Sequence, residues 1–121
     1  MGTPEEMRAN EDDLALTIEA REERDRLRIV LGGELDLMGR RDLLDAVEAL
    51  PIEGRPLALD LSRLAFMDST GCRALLEVGA AARERAASSY VVIAADTGPI
   101  ARLMELTGLA GALPIEWVGA S

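Results

Sequence analysis

LDLSRLAFMDSTG, Leu59–Gly71, passes from alternating apolar residues to an acid, two hydroxyls and a glycine in consecutive positions. How that change is read decides the fold. Pro56–Leu61 has the pattern of a short strand, and beyond Gly71 the residues Cys72, Leu75, Leu76, Gly79 and Ala82 recur at helical spacing. FMDSTG, Phe66–Gly71, is therefore a strand-to-helix junction. Open α/β sheets place ligands at such junctions, where the exposed N–H groups of a helix start favour negative charge.

Working outward, Leu14, Leu16 and Ile18 alternate with Ala15 and Thr17, and Leu27, Ile29 and Leu31 alternate with Arg28 and Val30, so two strands are expected around a charged turn, Arg21–Asp25. After GGELD, Gly32–Asp36, the period lengthens: Leu43, Leu44, Val47 and Leu50 line one face of a helix that starts near Leu37 or Gly39 and ends at Pro51. Gly32 and Gly33 are expected to give a tight exit from the sheet, with Asp36 as helix cap. Tyr90–Ala95 is the near-continuous apolar run of a strand covered on both faces. A third helix has Asp96 or Thr97 as cap, Pro99 in its first turn, Ile100, Leu103 and Met104 on one face, and Gly108 after its end. Ile115–Val118 forms a last short strand. Strands separated by helices require parallel pairing, while the first two strands can pair antiparallel. The expectation is one α/β domain: a mixed, mostly parallel sheet of four to five strands with three to four helices packed on it.

A chain of 121 residues suits one domain. Its net charge of −9 argues against direct nucleic-acid binding through phosphate contacts. No apolar stretch is long enough to cross a bilayer, and the start, MGTPEEMRANEDD, is acidic where a signal peptide is basic, so no membrane insertion and a cytoplasmic location are expected. Cys72, the single cysteine, has no internal disulfide partner, and the lack of His excludes histidine-containing metal sites and Ser-His pairs. Neither a metal nor a cofactor is expected.

At the junction, Asp68 or Ser69 could cap the second helix, and capping alone accounts for one oxygen. Three side chains with oxygens stand in line, and a hydroxyl at that place is also suited to carry a phosphate. Ser69 and Thr70 lack a base to activate them, because the chain has neither His nor Lys and Arg stays protonated. Glu34 and Asp36 bring no substrate-binding motif for acid-base work. No catalytic residue is assigned, and the protein is not expected to be an enzyme. Cys72 falls on the apolar stripe as a small core residue, and Trp117 is expected to be a packing residue.

Taken together, GELD at 33–36, LDLSRLAFMDSTG at 59–71 and IARLMELTGLAGALPI at 100–115 resemble the STAS domain family, especially bacterial anti-sigma factor antagonists. The resemblance covers a STAS domain at 13–118; residues 1–12, acidic and with almost nothing apolar to bury, are expected to be a disordered leader, and 119–121 a tail. The resemblance implies a regulator whose unphosphorylated form binds an anti-sigma factor that is itself a serine kinase, releasing the sigma factor. The kinase then modifies the serine after the motif aspartate, here Ser69, with Thr70 as second choice; a metal-dependent serine phosphatase reverses the change. The implied partner contacts are Glu34, Asp36, Asp68, Ser69, Thr70, Gly71 and Arg73. Arg73 departs from the family, which often continues Gly-Leu-Gly where this chain has Gly71-Cys72-Arg73. The alternative is a non-switching STAS subunit of a stress-signalling assembly or of a lipid-transport complex. The oligomeric state is left open.

Overall fold

The structure, a computed structural model, describes residues 15–119. The expected leader and the last two residues of the tail lie outside the described residues. Along the chain run β1 (Thr17–Glu22), β2 (Leu27–Leu35), α1 (Leu37–Ala49), β3 (Pro56–Met67), α2 (Ser69–Glu84), β4 (Ser89–Ala95), α3 (Pro99–Leu106), α4 (Leu109–Ala112) and β5 (Ile115–Val118). The five strands form one sheet in sequential order, with β1 antiparallel to β2 and every other pairing parallel.

Alternation builds the core. Leu27 and Ile29 of β2 pair with Leu57 and Leu59 of β3, and Leu59 pairs with Val92 of β4, so one sheet face is a continuous apolar surface. Leu43 and Val47 of α1, Leu75 and Val78 of α2, Met104 of α3 and Leu109 of α4 bury themselves in the same core. All four helices therefore cover one face. Arg85, just past α2, donates to the carbonyls of Val47 (2.7 Å) and Leu50 (2.5 Å), adding a second donor to acceptors at the end of α1 and tying the two helices together.

The opposite face is held by charge. Arg28 Nε donates to Asp60 Oδ2 at 3.0 Å and Arg28 Nη1 to Glu23 at 3.2 Å, while Arg26 bridges Glu23 (3.3 Å) and Glu116 of β5 (3.0 Å). This chain of ion pairs crosses the sheet at Val30, Ala58, Asp60 and Ile93, all buried. Long arginine stems are apolar surface in their own right and suit that position.

Several expectations need correction. Leu14 lies outside the described residues and β1 starts at Thr17; it also runs on through Glu22, leaving the turn to Glu23–Arg26, closed by a 2.9 Å hydrogen bond from Glu23 N to Arg26 O. β2 does not end before GGELD but continues to Leu35, because bulges between Val30 and Gly32 and between Gly33 and Glu34 keep the pairing with β3. Gly33 takes φ 78° there, a left-handed conformation that glycine adopts without cost. The same bulges let β3 extend through Ser62 and Arg63 to Met67, twelve residues instead of a short strand. Neither Asp96 nor Thr97 caps α3: Gly98 holds the cap position at φ 101° with no side-chain bond. Leu76 faces solvent, and Ala74 and Val78 take the buried stripe instead. Trp117 sits on the edge strand 41% exposed, not packed inside.

Candidate functional site

The bulged β2 and β3 finish side by side. Leu35 pairs with Met67, and Asp68 N donates to Leu35 O at 3.4 Å, so the residues that follow each strand, Asp36 and Asp68, stand on neighbouring strand ends. Each aspartate begins a helix. Asp36 Oδ1 accepts from the N–H groups of Met38 and Gly39, both at 3.1 Å, and Asp68 Oδ1 accepts from Gly71 N at 3.0 Å. Two helix N-termini thus open together beyond the carboxyl ends of β2 and β3, each supplying a partial positive charge. The start of α3 follows β4, the next strand in the sheet.

This arrangement answers which oxygen caps α2. Asp68, in an extended conformation at φ −106° and ψ −170°, does the capping. Ser69 is the first helical residue, exposed, and among the described residues its hydroxyl takes part in no side-chain hydrogen bond. Thr70 is half-buried beside it. Gly71 is buried and presents no side chain to a partner. A Cβ at this position would meet Leu35 O and Met67 Cγ at 2.5 Å, so glycine is what lets the first turn of α2 press against the ends of β2 and β3.

An ion pair links α1 and α2 further along the two helices. Arg40 of α1 forms a two-pronged pair with Glu77 of α2, with Nε to Oε1 at 2.7 Å and Nη2 to Oε2, and this pair holds the Glu77 carboxyl below its usual range. Arg73 is exposed on α2, one turn after Ser69. Glu34 lies half-buried in β2, in register with Phe66, and lines a shallow cleft with Leu16, Asp36, Met38 and Asp42. Of the sequence candidates, Asp36, Asp68, Ser69 and Thr70 are gathered at the twin helix starts. Glu34 and Arg73 flank them, and Gly71 lies beneath.

Sequence reasoning missed the apolar surround. Leu37 and Met38, the first residues of α1, are 68% and 79% exposed, and Phe66 and Leu106 are also exposed. Phe66 and Leu106 line a cleft of about 490 Å³ with Met67, Pro99, Ile100 and Leu103. The available signal was that Leu37 and Met38 precede the buried stripe of α1, which starts at Gly39 and Leu43. Exposed apolar residues grouped around a polar centre mark interaction surfaces. Cys72 is buried, and burial pushes its thiol pKa up, so it is a core residue. Among the described residues no His, Cys, Asp and Glu group suits a metal ion, and no helix is long and apolar enough to cross a membrane.

Comparison with known proteins gives a consistent picture. The family model described as "Mlab, STAS domain" matches residues 18–115. An anti-sigma-B factor antagonist of Listeria monocytogenes is 32% identical over 103 residues, which cover 84% of this chain and 89% of the relative. A crystal structure of an anti-sigma factor antagonist from Mycobacterium paratuberculosis superposes with a TM-score of 0.66 at 24% identity, covering 95% of this chain and 89% of that one. The phosphorylated form of the Bacillus cell fate determinant SpoIIAA superposes at 0.56 and 23% identity, covering 88% of this chain and 92% of that one.

Proposed function

The chain belongs to the STAS domain family, and from that premise we propose that it is an anti-sigma factor antagonist switched by phosphorylation of Ser69. In this reading the unphosphorylated protein binds a serine-kinase anti-sigma factor and frees its sigma factor. The kinase transfers the γ-phosphoryl group of ATP to Ser69 Oγ, the hydroxyl proton leaves to a base on the kinase, and ADP departs. A metal-dependent serine phosphatase hydrolyses the ester and restores the binding form. The protein is substrate and switch, and the catalytic groups belong to its partners.

One observation carries the proposal: Asp68 caps α2, which leaves Ser69 exposed and, among the described residues, its hydroxyl uncommitted. A hydroxyl used as a cap would have to break that bond to react. A phosphate adds about −1.5 to −2 charge at pH 7. The helix start tolerates it, so the fold survives. A partner surface that closed over a neutral hydroxyl meets bulk and an anion it must desolvate, and binding falls. Asp36 and Glu34 flank the contact, and Leu37, Met38 and Phe66 supply apolar area around it.

The test is incubation with kinases of the ATP-binding anti-sigma type from the same genome, ATP and Mg²⁺, followed by mass mapping. One phosphoryl group on the peptide containing Ser69, absent from Ser69→Ala, is expected. A panel in which no kinase binds or modifies the protein contradicts the reading. The alternative is a non-switching STAS subunit of a stress-signalling assembly or of a lipid-transport complex, in which the hydroxyls have no switching role. It predicts equal partner binding by Ser69→Ala and Ser69→Glu, whereas the switch predicts that only Ser69→Ala binds.

A further inference from the structure

The proposed switch gives Arg73 no task beyond that of a partner contact, and it is where this chain departs from its family's sequence pattern. It stands four residues after Ser69 on α2, both side chains exposed. Residues so spaced are neighbours on a helix surface, with Cβ atoms about 5–6 Å apart. An anion N-terminal to a cation at this spacing is also the better orientation relative to the helix dipole. Among the described residues Arg73 forms no ion pair within 4.0 Å.

The neighbouring charges are committed. Arg40, on the facing helix, is held by both prongs of Glu77. Asp36 and Asp68 are bonded to backbone N–H groups of α1 and α2. Glu77 feels Arg73 only through space and already has Arg40 as its hydrogen-bonded partner. Arg73 therefore stands one turn from Ser69 on the same helix and, among the described residues, can turn without breaking an ion pair. Guanidinium suits phosphate better than any other side chain, because its planar fork can donate two parallel hydrogen bonds.

We propose that Arg73 is the built-in counter-ion of phosphorylated Ser69, swinging along α2 to clasp the phosphate. The inference rests on the reading of Ser69 as the modified residue. Its consequence is that phosphorylation alters the partner surface twice, adding an anion at Ser69 and withdrawing the cation at Arg73. A clasped phosphate is also harder for a phosphatase to take up, so Arg73 lengthens the life of the modified state.

The test installs phosphoserine at position 69 by genetic encoding, without any kinase, and follows the phosphate by phosphorus NMR against pH in the Arg73, Arg73→Lys and Arg73→Gln proteins. Arg73 is exposed, and circular dichroism of each unphosphorylated variant verifies the fold. The second phosphate pKa is expected to lie about half a unit lower with Arg73 than with Gln, as for a surface ion pair, with Lys between them. That difference shrinks in molar salt. Removal of the phosphate by a broad-specificity Mn²⁺-dependent phosphatase is expected to be faster in Arg73→Gln. Identical titrations in the Arg73 and Gln proteins overturn the inference. Because the phosphate is installed directly, such a failure is distinct from failure of a kinase to modify Ser69, which bears on the switch itself.

Discussion

At Ser69 and Asp68 the division of labour between adjacent side chains is measurable as stability. Asp68→Ala removes the cap of α2 and is expected to cost about 1 kcal/mol in urea denaturation. Ser69→Ala removes an exposed hydroxyl and is expected to stay within about 0.5 kcal/mol of the parent protein. The reverse order would mean that the serine caps and the hydroxyl is not free. Gly71→Ala pushes a methyl group against Leu35 O and Met67, and overpacking of this kind is expected to cost about 1–3 kcal/mol. Cys72 is predicted to react with iodoacetamide at pH 8 at least about tenfold more slowly in the folded protein than in urea, because burial both shields the thiol and disfavours the thiolate. That FMDSTG starts a helix was legible from its residue types. Which oxygen caps was not, since capping depends on backbone angles that Asp68 and Ser69 share equal title to before folding.

At the scale of elements, β3 carries the least legible feature and the most stringent test. Ser62 and Arg63 break the apolar alternation, so the strand reads as ending near Leu61. In the fold a bulge absorbs them, with Asp60 Oδ1 accepting from Ser62 N at 2.8 Å and Arg28 gripping the other oxygen. Arg28 and Asp60 lie 32 residues apart and Arg26 and Glu116 lie 90 apart, separations that no local pattern reveals. The cap of α3 was misread because Asp96 and Thr97 are good capping residues, yet the chain enters α3 through Gly98 and Pro99. Asp60 is 1% exposed, and burial alone would raise its pKa; hydrogen bonds from Ser62 and the Arg28 pair outweigh that and hold it below the usual carboxylate range. Its contribution is therefore complete above the unfolded carboxylate pKa of about 3.9 and is lost as pH falls through the lower folded value. Asp60→Asn leaves Arg28 without its buried partner and is expected to cost about 2–4 kcal/mol at pH 7, since Arg28 keeps some access to water. Below pH 3 the gap between the two proteins should narrow in denaturation curves; a gap independent of pH would rule out the ion pair as its cause.

At the scale of the whole molecule, sequential strand order and helices on one face bring two capped helix starts together at the carboxyl end of the sheet, with the start of α3 following the next strand. The alternation of strand and helix periods made this architecture legible. The exposure of Leu37, Met38, Phe66 and Leu106 was not, nor was the cleft that Phe66 and Leu106 share, because these residues come from three parts of the chain that are placed only when β2, β3 and β4 align. On the proposed reading the site is a preformed platform whose binding is switched by one covalent group, without refolding. Unmodified and Ser69-phosphorylated protein should accordingly have similar circular dichroism and closely similar melting behaviour. The most direct measurement titrates a cognate anti-sigma kinase with both forms under the same salt conditions. The account predicts that phosphorylation weakens binding by at least about a hundredfold, equivalent to about 2.7 kcal/mol, with Ser69→Ala binding like the unmodified protein; equal affinity of the two forms for the kinase would contradict it.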